Sequence, residues 1–213
     1  MKGSLPDPPL LIITDPPAPP RTIENVVAES LEAGCRWFMY RDKNKSAQEF
    51  AAAAAVLSKL CNRYEAIFCT NGNIEISDSY LGCGVHVQSS SAVYKVRRRI
   101  KPPALIGVSC HSIAEGLKAE KAGADYITLS PIFETVSKPG YGPLLGSVAL
   151  KDAAQQIGIP IIALAGITSS NAAECIRNGA SGVAVMGVDS GGVGEWRDAA
   201  RGGGRTTGRG GCG

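Results

Sequence analysis

Short apolar runs recur along the chain, each followed by polar residues and then by a stretch with helical spacing. They occupy residues 10–13, 37–40, 66–69, 85–87, 105–108, 126–129, 159–164 and 183–185. Runs this short that are apolar throughout predict strands buried on both faces. Helical patterns fill the intervals, among them 23–33, 47–60, 113–122 and 149–157. A repeated junction links the two kinds of element. Gly34-Cys35, Gly82-Cys83, Gly123-Ala124 and Gly179-Ala180 each stand just ahead of an apolar run. Glycine suits the left-handed residue that ends a helix, and the small residue after it suits entry into a packed strand. Strands alternating with helices predict a parallel sheet. Eight such units predict a compact α/β fold, a (β/α)8 TIM barrel, over residues 10–188. An open doubly wound sheet is disfavoured, because no Gly-x-Gly-x-x-Gly follows the first strand.

Composition divides the chain further. Seven of the 13 prolines lie in the first 20 residues, and ten of the 26 glycines lie in the last 25. Residues 1–9 therefore read as a Pro-rich lead and 189–213 as a Gly/Arg-rich tail. The tail stands where an eighth helix should pack, so that helix is expected to be incomplete or irregular, with one or two turns over 195–200. Residues 202–213 read as a flexible end, and the last ten residues are expected to be removable with little loss of activity.

Charge and cysteine content narrow the function class. Twenty-two Lys and Arg against 19 Asp and Glu leave a net charge of only +3, with 6% aromatics, which argues against a nucleic-acid partner. No apolar run approaches a membrane span and no leader pattern opens the chain, so a membrane role is not expected. The seven cysteines form no CxxC pair and read as buried small hydrophobes in a reducing, cytoplasmic setting. The run Arg97-Arg98-Arg99 with Lys101 reads as a solvated helix face. What remains is a protein for a small molecule.

A barrel of this kind works at the C-terminal ends of its strands. Glycines in the loops after strands seven and eight allow a phosphate to approach the backbone, which nominates Gly166, Ile167, Met186 and Gly187. The long loop after strand six offers Thr135, Ser137 and Lys138 to a second anionic group. Arg41, Lys43 and Asn71 make a polar rim after strands two and three, with Arg41 suited to grip an oxyanion. Ser109 and His111 follow strand five, where His111 is the candidate general acid and base. His86, at the end of strand four, is read as a packing or hydrogen-bonding residue.

These blocks, in this order, resemble the thiamine phosphate synthase/TenI superfamily. The resemblance rests on Ile13-Thr14-Asp15, Arg41-Asp42-Lys43, Asn71, Gly84-Val85-His86 and the segment 106–112. Gly123-Ala124-Asp125-Tyr126, the segment 131–138 and the segment 179–185 continue it. It implies a (β/α)8 barrel that handles phosphorylated precursors of thiamine. Synthases of the family carry a glutamine, an Asn-Asp pair and a further aspartate where this chain has Met39, Asn71-Gly72 and Ser91. The Gly-Gly-Ile phosphate motif is altered to Ala165-Gly166-Ile167. Asn71-Gly72, Ala119-Glu120-Lys121 and Phe133-Glu134-Thr135 instead resemble the TenI branch.

The resemblance thus implies a thiazole tautomerase, an isomerase needing no metal or cofactor, whose substrate is a small phosphorylated carboxythiazole. His111 would move the proton, Gly166 and the 186–187 turn would hold the phosphate, and Arg41 or Lys138 the carboxylate. Two alternatives stand beside it: a Mg²⁺-dependent thiamine phosphate synthase, and a non-catalytic regulatory binder of thiamine phosphates. A homo-oligomer is left open.

Overall fold

The computed structural model describes residues 5–80, 82–135, 140, 142–187 and 193–202. Eight parallel strands close into one barrel in chain order. They are β1 (Leu10–Ile13), β2 (Trp37–Tyr40), β3 (Ile67–Asn71), β4 (Gly84–Val87), β5 (Ile106–Cys110), β6 (Tyr126–Leu129), β7 (Ile161–Leu164) and β8 (Gly182–Met186). The helices are α1 (Ile23–Glu32), α2 (Ala47–Arg63), α3 (Ile74–Ser79), α4 (Val93–Arg99), α5 (Ile113–Lys121), α6 (Gly146–Gln156), α7 (Ser169–Arg177) and α8 (Val193–Ala200). The expected TIM barrel is therefore the fold. Pairing of β1 with β8, Leu10 against Val183 through Ile13 against Met186, closes the ring.

Each strand is buried on both faces, but the two faces meet different partners. Leu11, Ile13, Trp37, Met39, Cys69, Tyr126, Ile162 and Ala184 alternate along their strands and pack together inside the barrel. Their neighbours, such as Leu10, Ile12, Phe38, Phe68, Val85, Ile106, Ile127 and Val183, turn outward against the helices. Trp37, fully buried, meets Tyr126 edge-on with ring centroids 4.8 Å apart. A buried side chain of this size contributes about 1.5–3 kcal/mol of hydrophobic stabilisation.

The glycine junctions do what their spacing predicts. After α1, Gly34 and Cys35 donate to the carbonyls of Leu31 and Ser30 at 3.0 and 2.9 Å. Gly123-Ala124 after α5 and Gly179-Ala180 after α7 repeat the same pair of bonds, the Schellman cap. These three glycines have φ of +100, +91 and +93. Helix starts are equally well marked, with reciprocal side-chain caps at Thr22/Asn25, Ser46/Glu49 and Thr168/Asn171.

Two expectations need adjustment. The basic run is not simply a solvated face: Arg97 pairs with Asp125, whose carboxylate also accepts from the Ile106 N–H at 2.7 Å, tying α4 to β5. Arg99 meets Asp78 at 3.0 Å and Glu75 at 3.2 Å on α3. The eighth helix runs over residues 193–200 and puts Ala199 and Ala200 into the core. Just beyond it, Arg201 grips Asp7 with two bonds of 2.9 and 2.8 Å. Of the end expected to be flexible, 202–213, residues 203–213 lie outside the described residues. The six described cysteines are all buried, and burial raises the pKa of Cys35 and Cys83 to about 11 and that of Cys61 to about 12.

Candidate active site

Following the inward positions of each strand upward leads to the barrel mouth. From β7 round to β2 these positions are apolar: Leu164, Met186, Ile13 and Met39. From β3 to β6 they are polar: Asn71, His86, Ser109, Thr128 and, one step higher, Gln88, His111 and Ser130. The mouth is therefore split into an apolar wall and a hydrogen-bonding wall. An aromatic heterocycle suits such a space, since it offers an apolar face and polar edge atoms.

The polar wall is organised around His86, 2% exposed. Its Nδ1 lies 3.2 Å from the Tyr126 hydroxyl and its Nε2 lies 3.0 Å from Ser109 Oγ, with Thr128 Oγ1 at 3.4 Å. Burial lowers its pKa to about 3, so the imidazole is neutral at physiological pH. Gly107, paired with Tyr126 across the β5–β6 ladder, makes room for this contact. A Cβ there would overlap both the tyrosine ring and His86 Nδ1. The expectation that His86 is a hydrogen-bonding core residue thus fits its surroundings.

Above it, Gln88 Nε2 donates to Asn71 Oδ1 at 3.0 Å, joining the ends of β3 and β4. His111 is exposed at the rim, and its Nδ1 lies 2.8 Å from the Ser130 carbonyl. That geometry makes Nδ1 the protonated nitrogen, because a carbonyl can only accept. The His111 backbone N–H donates to Glu115 on α5 at 2.7 Å. Gln88, Thr128 and Ser130 were not singled out in the sequence. Stepping by two from His86 reaches Gln88, and from Tyr126 reaches Thr128 and Ser130.

The turn after β7 is strained. Ala165 and Gly166 both take positive φ, +75 and +65. A Cβ on Gly166 would overlap the Glu134 carbonyl oxygen, because the loop after β6 folds directly onto this turn. Phe133 donates to the Ala165 carbonyl at 3.1 Å, and Asn171 Nδ2 on α7 donates to the Gly166 carbonyl at 2.9 Å. Among the described residues the N–H groups of Gly166 and Ile167 make no backbone hydrogen bond, and they stand ahead of the α7 N-terminus. This is the arrangement in which backbone donors receive a phosphate. Gly187 differs, since its N–H already donates to the Ile13 carbonyl at 3.1 Å. Met186 is 43% exposed beside it.

Arg41 is fastened at its backbone: its N–H donates to Thr14 Oγ1 at 2.9 Å, and that hydroxyl donates to the Arg41 carbonyl at 3.2 Å. Arg41 and Asp42 border a cleft of about 310 Å³ between the loops after β1 and β2, walled by Pro16, Pro17, Ile23 and Tyr40. Burial, helped by Asp42, Glu24 and Glu49, raises the Tyr40 pKa to about 12. Lys43 is exposed on the same rim and Thr135 is half-buried, while Ser137 and Lys138 lie outside the described residues.

A Mg²⁺ ion, which the family resemblance attaches to its synthase members, prefers carboxylate and phosphate oxygens in octahedral array. The positions where the resemblance puts aspartates hold Gly72 and Ser91. Among the described residues no three His, Cys, Asp or Glu side chains converge. The residues present do not fit a protein-held Mg²⁺.

A family model described as thiamine monophosphate synthase matches residues 10–188. A thiamine-phosphate synthase of Methanospirillum hungatei is 35% identical over 83% of this chain and 87% of its own. One from Nitrosococcus oceani is 34% identical over 79% and 78%. Among solved structures, a thiamine phosphate pyrophosphorylase from Pyrococcus furiosus superposes with a TM-score of 0.77 at 26% identity, covering 90% of this chain and 95% of that one.

Proposed function

Because the chain belongs to the thiamine monophosphate synthase/TenI family, we propose that it is a transferase of thiamine biosynthesis, a thiamine-phosphate synthase joining a pyrimidine diphosphate to a thiazole phosphate. The observation that carries this reading is the 35% identity to a thiamine-phosphate synthase over 83% of the chain.

The expectation of a metal-independent thiazole tautomerase, an isomerase, is corrected by the same relatives, which bear the transferase's name. Two of the motifs behind that expectation contribute residues to packing, while Asn71-Gly72 stands at the mouth itself. Ala119 is buried in the core, and Glu120 caps the Gly158 N–H at 3.1 and 3.2 Å on the outside of the barrel. Phe133 anchors its loop to the β7 turn. These packing roles do not separate the two activities. The proton-moving role given to His111 falls with the tautomerase.

Joining the two precursors expels diphosphate, so negative charge grows on a leaving oxygen. Stabilising it calls for donors fixed in advance. Arg41 and Lys43 supply cations at the rim, and Ser109 and Asn71 supply neutral donors below them. The Gly166 and Ile167 N–H groups, with the 186–187 turn beside them, take the thiazole phosphate. Thr135, and Ser137 and Lys138 further along the same stretch of sequence, are assigned to an anionic group of the substrate. The apolar wall of Ile13, Met39, Leu164 and Met186 receives the ring faces. His111, held by the Ser130 carbonyl, stands at the rim as an orienting group.

The test is direct. Purified protein given both precursors and Mg²⁺ should release thiamine phosphate and diphosphate in equal amounts. Binding of the thiazole phosphate with no turnover would overturn the transferase reading.

A further inference from the structure

The hydrogen-bond partners inside the barrel fix more than the position of His86. The Cys69 thiol lies 3.3 Å from the Phe38 carbonyl, which can only accept, so the S–H proton is committed there. The Tyr126 hydroxyl then has two acceptors in reach: Cys69 Sγ at 4.0 Å and His86 Nδ1 at 3.2 Å. Sulfur is a weak acceptor and 4.0 Å is long, so the proton goes to the nitrogen. A neutral imidazole whose Nδ1 accepts must carry its proton on Nε2. That N–H faces Ser109 Oγ at 3.0 Å, closer than Thr128 Oγ1 at 3.4 Å. Ser109 Oγ thereby accepts from below, and its own proton is left to point elsewhere. Ser109 is half-buried, with His86 beneath it and the mouth above.

We propose that His86 is a positioning residue: Tyr126 locks it as the Nε2–H tautomer, and it turns the Ser109 hydroxyl into a donor aimed at an anionic oxygen of the substrate in the mouth. The identity of that oxygen as part of a diphosphate rests on the transferase reading; the lock itself does not. Gly107 belongs to the device, because any side chain there would separate Tyr126 from His86. The opposite polarity would have Nδ1–H donating to tyrosine and Ser109 donating to Nε2, which leaves serine with no proton for a ligand. With the imidazole neutral down to about pH 3, the direction of the chain holds across the working range.

Nitrogen-15 NMR of the ligand-free protein tests the lock alone. The His86 signals should show the Nε2–H form, and the Nδ1–H form would overturn the proposal. The ligand half is tested with inorganic diphosphate by calorimetry. Tyr126→Phe should mix the tautomers and weaken diphosphate binding about fivefold, the size of one ordinary hydrogen bond. In a Ser109→Ala background the same substitution should have no further effect. Additive losses in the double variant would overturn the proposal, since they would mean that Tyr126 acts by packing. Failure of the unmodified protein to bind diphosphate would refute diphosphate as the anion, while the tautomer would still decide the relay.

Discussion

Ala165 is the clearest single-residue conflict in the site. Its φ of +75 belongs to glycine, and an alanine held there costs about 1–2 kcal/mol. Glycine would relieve that strain and give back part of it as chain entropy in the unfolded state. Ala165→Gly should therefore stabilise the fold by about 0.5–1 kcal/mol, seen as a rise of about 1–4 °C in thermal unfolding. Phosphate affinity should be kept, whereas Gly166→Ala should lose it by forcing the turn off Glu134. A drop in melting temperature for Ala165→Gly would sink this account. His86 makes a second residue-level prediction. Its pKa falls from 6.5 in the unfolded chain to about 3 in the fold, so acid protonates the unfolded state first. Stability from this group is thus intact above about pH 6.5 and declines as pH falls toward 3, by up to about 1.4 kcal/mol per unit. Urea unfolding at pH 7, 5 and 4 should show that slope, and His86→Gln should flatten it. Both residues were visible in the sequence, Ala165 as a departure from a glycine motif and His86 as a strand-end histidine. Neither the sign of a φ nor the depth of burial could be read from the letters.

At the scale of elements, helix ends were legible where glycine marks them. The end of α2 was not. There Glu65 takes the left-handed position, φ +54, and Glu65 and Ala66 donate to Asn62 and Cys61 at 3.2 and 3.0 Å. This is the cap seen after α1, α5 and α7, built without glycine, which is why the expected helix stopped at 60 and the real one reaches Arg63. Glu65→Gly should extend the pattern and stabilise the protein by about 0.5–1 kcal/mol, measured by denaturant midpoint. An unchanged or lower midpoint would mean that Glu65 makes contacts that outweigh its backbone strain. Strands were legible as runs but not as faces. Because both faces are buried, no alternation of apolar and polar residues separates inside from outside. The polar wall emerges only when register aligns Asn71, His86, Gly107 and Tyr126 across three ladders.

For the whole molecule, eight units in sequence order were enough to imply a closed ring. The division of its interior into an apolar and a hydrogen-bonding half was not, since it depends on which strands become neighbours. The family also followed from ordered blocks, while the choice of activity within it did not. Two of the motifs used for that choice contribute to the outside of the barrel and the β7 turn, and the third, Asn71-Gly72, lies at the mouth without deciding between the activities. Closure of the ring has a further consequence. β1 and β8 are hydrogen-bonded along four residue pairs, and Asp7 and Arg201 clasp each other just outside them. The first and last described parts of the barrel are thus already neighbours. A circular permutant joining residue 202 to residue 5 through a short glycine linker, and opened at the exposed Lys101-Pro102-Pro103 turn, should assemble the same mouth. Its diphosphate affinity should match that of the parent. A permutant that folds but cannot bind would reveal that the path of the chain, and not only its final contacts, sets the site.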